Sequence, residues 1–415
     1  MKILALYPYL PYPSSSGSRL RGSLILEILS EENDVVFASL LGRGDVPSQL
    51  LSWSVYPRLA AVLTSSLDTA QELTDAGRSL RAMVSSPRAG MPESLQSFDT
   101  SEMWNQLATL DISELDVVHV RYMYMAPYAL ALKRANPHLR LVVDIDDIVS
   151  VVFGRQLRMP KRLSELRGSL WSVKELIRIY CFETGPLRGF DSVWVCSQKD
   201  KRKLSLRVGS SRIAVVENAV DSAKLSGITS GQSDQILVFV ADFNYGPNKE
   251  GAEFVVRNVW PRVLESCPGA QLWLVGRNNC RELLELNGHN GITVTGRVDD
   301  VNPYLQKEMI SIAPILMGAG TRIKILEALG AGLPVVSTKI GAEGIEAQDG
   351  VHLMIADGAK QFADRCIRLL QDEGLRSRLA KEGRALIRDK YDVLKVKQSV
   401  KTCYERLNSL PNAPR

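Results

Sequence analysis

Along this chain of 415 residues, short apolar runs alternate with longer segments whose apolar positions recur at helical spacing. Runs at 3–6, 35–38, 117–120, 141–143, 193–195 and 213–216 form one series. A second series lies at 236–240, 272–275, 292–294, 310–313, 334–337 and 353–355. These runs are rich in Val, Ile and Leu and lack the polar alternation of a strand with one wet face. They predict strands covered on both sides, as in parallel sheets. Helical segments between them make the fold class α/β, and two series predict two Rossmann-like doubly wound domains facing a cleft.

The polar, small-residue stretch 223–235 predicts the link between the domains. The organisation expected is therefore an N-terminal domain over 1–222, a C-terminal domain over 223–390, and a C-terminal helix over 391–415 placed to pack back on the first. The Ser- and Thr-rich region 41–111 has patchy periodicity and is expected to be an insertion of helices and loops.

The densest chemistry lies in Met317-Gly-Ala-Gly-Thr-Arg-Ile-Lys-Ile-Leu-Glu327. Gly318 and Gly320 remove Cβ atoms where a phosphate approaches the backbone, and Thr321 is expected to cap the helix that follows. Arg322 and Lys324 add positive charge at the same end. Glu327, one turn further, is placed to accept hydrogen bonds from ribose hydroxyls, as acidic residues do in dinucleotide folds. The layout suits a nucleotide diphosphate; an ordinary exposed helix start is the plainer alternative.

Composition narrows the partners. With 51 Lys and Arg against 46 Asp and Glu, the formal net charge of +5 is too small for a dedicated nucleic-acid binder. Six cysteines without any C-x-x-C spacing and four histidines argue against a zinc or disulfide framework, and favour a reducing, cytoplasmic setting. Pro8 interrupts the N-terminal apolar run too early for a signal peptide, and no window has the apolar length of a spanning helix.

Five segments in order resemble the nucleotide-sugar glycosyltransferases of the GT-B fold, specifically the large retaining family four. They are Val216-Glu-Asn-Ala-Val-Asp221, Leu272-Trp-Leu-Val-Gly-Arg277, Thr295-Gly-Arg-Val298, the 317–327 loop, and Pro334-Val-Val-Ser-Thr338. The first half is similar too: Lys2-Ile-Leu-Ala-Leu-Tyr7 precedes a loop with Gly17 before a helix, and Phe190-Asp-Ser-Val-Trp-Val-Cys-Ser197 ends like that domain's last strand. The resemblance implies nucleotide binding by Arg277, Arg297, Val298, Gly318, Ala319, Gly320, Thr321 and Glu327, and contact of Gly17 with acceptor or donor phosphate.

Two departures stand out. The family pairs glutamates eight positions apart, the first reading the sugar; here that position is Ala319. The family also places an Arg after the first strand of the second domain and a Lys shortly beyond, where this chain has Asp242 and a displaced Lys249. Arg322 and Lys324 are expected to serve the diphosphate instead.

In Asp144-Ile-Asp146-Asp147, Asp146 falls where the resemblance places a group near the sugar. Either it contacts donor or acceptor, or the cluster is a strand-end turn; a metal site there is disfavoured. His119, in an apolar run, is expected to be a packed core residue, and Asn218 a structural turn residue. The segment 155–178 is basic and interleaved with apolar residues, so it is either a surface helix packed on the sheet or one that lies on anionic lipid.

The function these readings imply is a retaining, metal-independent glycosyltransferase without a cofactor. Its donor would be a nucleotide diphosphate sugar, and its acceptor a carbohydrate, a lipid-linked molecule or a small molecule. A nucleotide-sugar epimerase of the same fold, and an idle GT-B scaffold subunit, stay open.

Overall fold

The computed structural model describes residues 1–11, 17–41, 56, 58–66, 71–84, 91–157, 169–226, 235–305 and 309–410. The chain divides into two compact units, Met1–Val216 with Lys397–Arg415, and Glu217–Val396.

The first unit is built on a seven-stranded sheet of β1 (Lys2–Tyr7), β2 (Asp34–Leu41), β3 (Leu59–Ser66), β4 (Val117–Arg121), β5 (Arg140–Ile145), β6 (Ser192–Val195) and β7 (Ile213–Val215). Its spatial order is β3-β2-β1-β4-β5-β6-β7, all pairs parallel. The second unit carries β8 (Ile236–Val240), β9 (Gln271–Val275), β10 (Ile292–Gly296), β11 (Ile310–Ala313), β12 (Val335–Ser337) and β13 (Met354–Ile355). Their order, β10-β9-β8-β11-β12-β13, is again parallel throughout.

Every apolar run read from the sequence lies on a strand, and residues such as Ile3, Leu4, Val117, Val143, Leu237 and Val335 are wholly buried. One strand corrects the sequence reading. β3 lies inside the region expected to hold only helices and loops, pairing with β2 at the sheet edge. It is half exposed, so its sequence, Leu-Ala-Ala-Val-Leu-Thr-Ser-Ser, lacks the signature of a fully covered strand.

The C-terminal helix, Val393–Ser409, belongs to the first unit from Lys397 onward. Within that unit Lys397 Nζ donates to Glu31 at 2.5 Å, and the Tyr404 hydroxyl meets His119 Nδ1 at 2.9 Å. His119 is indeed a core residue, fully buried, with its pKa lowered to about 4 by loss of hydration. The basic segment 155–178 comprises the end of helix Val149–Leu157 and the start of helix Ser169–Leu187; residues 158–168 lie outside the described residues.

Both sheets change direction at their centre, between β1 and β4 and between β8 and β11. Chain connections leave to opposite sides there, and open α/β sheets bind ligands beyond the carboxyl ends of such strands.

The first switch point is filled by charge. Arg21 and Arg121 are buried against Asp144, with Arg21 Nη2 at 2.6 Å and Arg121 Nη1 at 2.5 Å from its oxygens. Arg121 Nη2 and Arg21 Nε also reach Asp146, at 2.6 and 3.0 Å. Two cations thus answer two carboxylates. Burial pushes the Asp144 carboxyl up, but the two guanidiniums outweigh it and hold it below its ordinary value. For Asp146, nearer the rim, burial wins and the carboxyl titrates above its ordinary value.

Asp144→Ala leaves two buried guanidiniums short of counter-charge. A loss of about 3–5 kcal/mol is expected, seen as a lower urea midpoint by circular dichroism. An unshifted midpoint would refute this account of the lattice.

Candidate functional site

At the second switch point, β8 runs through a short turn into helix Gly246–Phe254, and β11 runs through 314–322 into helix Ile323–Ala331. The starts of the two helices are tied together: Lys324 Nζ donates to Asn248 Oδ1 at 2.9 Å, and Asn248 Nδ2 donates to the Asp242 carbonyl at 2.8 Å. The ammonium also sits 4.9 Å from the centre of the Phe239 ring, a cation–π contact. Burial, reinforced by the neighbouring Arg322 charge, lowers the Lys324 pKa to about 7.

Arg322 folds back over its own loop. Nη1 donates to the Ala319 carbonyl and Nη2 reaches the Met317 carbonyl at 3.5 Å. A Cβ at position 318 would stand 2.3 Å from Nη2, and Gly318 has φ +120°, so only glycine fits beneath this guanidinium. Thr321 is not the helix cap. Arg322 occupies that position in extended conformation, no side chain caps the helix, and the Thr321 hydroxyl is buried without a partner. The Thr321 carbonyl instead accepts from Asn218 Nδ2 at 3.3 Å, which gives Asn218 the structural role expected of it. Intrahelical bonding begins at the Ile325 amide, leaving the helix start available to an anion.

Asp242 replaces the arginine that the resemblance led one to expect, and the adjacent strand supplies a guanidinium in its stead. Arg277 Nη2 donates to Asp242 Oδ2 at 2.5 Å, while Asp242 Oδ1 accepts from the Asn244 amide at 3.1 Å. Burial raises the Asp242 carboxyl, but the Arg277 contact and the Asn244 amide outweigh it and leave it below its ordinary value. Gly276 allows the close approach: its Cβ would lie 2.1 Å from the Ala241 carbonyl oxygen. Lys249 points elsewhere, toward Glu253 and Glu282 at 3.8 and 4.0 Å.

Glu327 is half-buried and makes no hydrogen bond to a described residue; burial pushes its carboxyl up. Arg297 is exposed and Val298 partly buried just beyond β10, and Ala319 is buried. The second unit thus gathers Arg277, Arg297, Val298, Gly318 to Thr321, Arg322, Lys324 and Glu327 at the carboxyl edge of one sheet. Gly17 and Asp146 stand on the first unit, at the start of helix Gly17–Glu32 and just after β5.

Asp146 is held by more than arginines. The Tyr122 hydroxyl donates to its Oδ2 at 2.6 Å. Tyr122 has φ +63° and ψ +148°, a conformation costing a bulky residue on the order of 1–3 kcal/mol. Its amide donates to the Asp144 carbonyl at 2.9 Å, and its ring lies between Tyr124, 5.1 Å away and nearly parallel, and the Arg121 guanidinium at 5.3 Å.

Comparison with known proteins decides the family of one segment of the second unit. Residues 234–372 match the family described as glycosyl transferases group 1. They belong to that family. An uncharacterized 44.6 kDa protein in the cps region of Klebsiella pneumoniae is 27% identical over 172 residues, 40% of this chain and 44% of the relative. A phosphatidyl-myo-inositol mannosyltransferase of Mycobacterium leprae is 30% identical over 157 residues, 36% of this chain and 42% of the relative. The chain thus spans less than half the length of these curated relatives. In three dimensions, Anabaena Alr3699/HepE in complex with UDP superposes with a TM-score of 0.66 at 16% identity, covering 99% of this chain and 100% of that one. The fold of the chain is GT-B.

Sequence reasoning missed Asn248, Phe239, Arg21, Arg121 and Tyr122. Asn248 follows Gly246-Pro247 at a helix start, a local signal; the others become partners only when strands distant in sequence are set side by side.

The Lys324 pKa sets a pH dependence. An anionic diphosphate favours the charged lysine, so affinity is full below pH 7 and weakens above it. Between pH 7 and pH 8.2 a nucleotide diphosphate sugar, whose diester has no proton to lose there, is expected to bind roughly tenfold more weakly. Calorimetric titration checks this, and a Lys324→Met protein that kept the wild-type slope would sink the assignment.

Proposed function

We propose that this chain is a retaining, metal-independent glycosyltransferase that moves a sugar from a nucleotide diphosphate donor to an acceptor hydroxyl. The observation that carries the reading is the pair of helix starts joined by Lys324 and Asn248 at the β8/β11 switch point. The likeness to a protein crystallised with UDP supports it.

Diphosphate oxygens would occupy the helix start beside Arg322 and Lys324. Arg277, Arg297 and Val298 are placed for the nucleoside, and Glu327 for its ribose hydroxyls. As the anomeric C–O bond breaks, charge grows on the leaving phosphate, and fixed donors aimed at it lower the barrier by about 3–4 kcal/mol for a single well-placed group. The acceptor oxygen bonds to the anomeric carbon on the face the phosphate leaves. Its proton passes to a phosphate oxygen, so sugar transfer releases a nucleoside diphosphate and needs no protein nucleophile. No metal step enters this scheme, and undiminished turnover in EDTA is part of the proposal.

The acceptor is a bacterial cell-surface polysaccharide or glycolipid precursor in this reading. The Mycobacterium leprae relative is by its description a phosphatidyl-myo-inositol mannosyltransferase, and the Klebsiella relative lies in a cps region. Among the described residues no helix is long and apolar enough to cross a membrane. Contact with a bilayer surface would use helix Ser169–Leu187, where Trp171, Val173, Ile177 and Tyr180 are exposed. Ile177→Asp should then reduce co-sedimentation with anionic liposomes and leave nucleotide affinity intact; equal sedimentation of both proteins removes the contact.

The enzymatic reading is tested by a thermal-shift screen of UDP, GDP, ADP and dTDP sugars, followed by assay of slow donor hydrolysis. A transferase raises its melting point with one of them and releases nucleotide; Arg322→Ala and Lys324→Ala each lose about tenfold or more in turnover. An idle scaffold shows neither, and an epimerase converts the sugar while retaining the nucleotide.

A further inference from the structure

The two cations of the 317–327 loop stand in different places. Lys324 is bonded into the junction of two helix starts, through Asn248 and over the Phe239 ring. Arg322 reaches back along its own loop instead, with Nη1 on the Ala319 carbonyl and Nη2 3.5 Å from the Met317 carbonyl. It is partly exposed, and among the described residues no carboxylate pairs with it. Arg277, at the same sheet edge, is by contrast already paired with Asp242 at 2.5 Å. Carbonyl oxygens occupy part of the Arg322 fork and leave its charge unanswered; Nε and one hydrogen on each terminal nitrogen remain for a ligand.

Strand order decides which part of a donor meets this fork. In β10-β9-β8-β11-β12-β13, Arg277 and Arg297 follow β9 and β10, to one side of the β8/β11 crevice. The 317–322 loop follows β11, on the other side. A nucleotide sugar with its nucleoside toward β9 and β10 and its diphosphate beside Lys324 therefore directs its sugar to the β11 side. There the loop offers buried Gly318, Ala319 and Gly320 with Arg322 folded over them. From Met309 to Leu326 the chain has no acidic residue that would repel an anion. A sugar hydroxyl would leave the guanidinium without counter-charge, whereas a carboxylate matches its planar fork with two parallel hydrogen bonds.

We propose that the donor sugar is a hexuronic acid, whose carboxylate is held by Arg322. The assignment rests on the transferase reading and divides the two cations between the two anionic parts of such a donor. Lys324 and the helix start hold the diphosphate, and Arg322 reads the group that tells an acidic sugar from a neutral one.

Calorimetric titration of the full chain with UDP-glucose against UDP-glucuronate, UDP-galactose against UDP-galacturonate, and GDP-mannose against GDP-mannuronate tests this. Should ADP or dTDP alone stabilise the chain, the glucose and glucuronate pair on that nucleotide replaces them. The acid of at least one pair is expected to bind roughly tenfold or more tightly than its neutral partner, as a charge-assisted bond replaces a neutral one. Arg322→Gln should shrink that ratio to about twofold or less, and Arg322→Lys, which keeps the charge and loses the fork, should retain part of it. Lys324→Met should weaken both members of the pair and keep their ratio. Neutral sugars bound as tightly as their acids, an Arg322→Gln protein that keeps the acid preference, or one that loses affinity for the bare nucleoside diphosphate as steeply as for the acid, overturns the proposal and leaves the transferase reading intact. A chain that binds no nucleoside diphosphate and no nucleotide sugar overturns the transferase reading itself, and this assignment with it.

Discussion

Buried positive charge is the constraint on which both sheets are organised. Taking an ammonium or guanidinium out of water costs several kcal/mol unless a partner restores the lost interactions. The first unit meets this cost internally: Arg21 and Arg121 face Asp144 and Asp146, and the four groups close into a lattice. The second unit leaves it open. Lys324 has an amide oxygen and a ring face as partners, and the nearby Glu327 carboxyl is itself pushed toward its neutral form by burial. A pKa lowered to about 7 is the outcome. The same physical demand is therefore met by ion pairs in one unit and by an amide oxygen and a ring face in the other.

This contrast explains the local backbone of the donor loop. Without a carboxylate, Arg322 is held by carbonyl oxygens of Met317 and Ala319, which requires the loop to curl beneath its own side chain. Only glycine at 318 permits that curl, and the chain then enters the helix one residue later than a threonine cap would dictate. Asn218 secures the Thr321 carbonyl from outside. The cation, its glycine and the shifted helix start form one arrangement.

What could be read from the sequence follows the range of the interactions. Buried strands announce themselves through consecutive apolar residues, because both faces are covered and each residue must comply; β3, half exposed at an edge, carried no such message. The 317–327 loop stood out in the sequence because its glycines, cations and Glu327 lie within ten residues. Its cap was not, since the choice between Thr321 and Arg322 turns on Asn218, about a hundred residues away. The Arg277–Asp242 pair shows the same limit: 35 positions separate the partners, and only the neighbouring places of β8 and β9 convert a missing arginine into a borrowed one. Tyr122 is the extreme case, for a positive φ in a tyrosine is set wholly by its surroundings.

Ala319 carries the last consequence. A carboxylate at that position would accept hydrogen bonds from sugar hydroxyls and would also compete for the Arg322 guanidinium. With alanine there, buried, and its carbonyl already engaged by Arg322, the loop has lost its acceptor and kept its donors. Under the transferase reading, the charged side chains it can turn toward the donor sugar carry only N–H bonds, and these recognise oxygen lone pairs rather than hydroxyl protons. Selectivity for the sugar then comes from where its oxygens stand and not from how many hydroxyls it can donate, a looser criterion on the donor side.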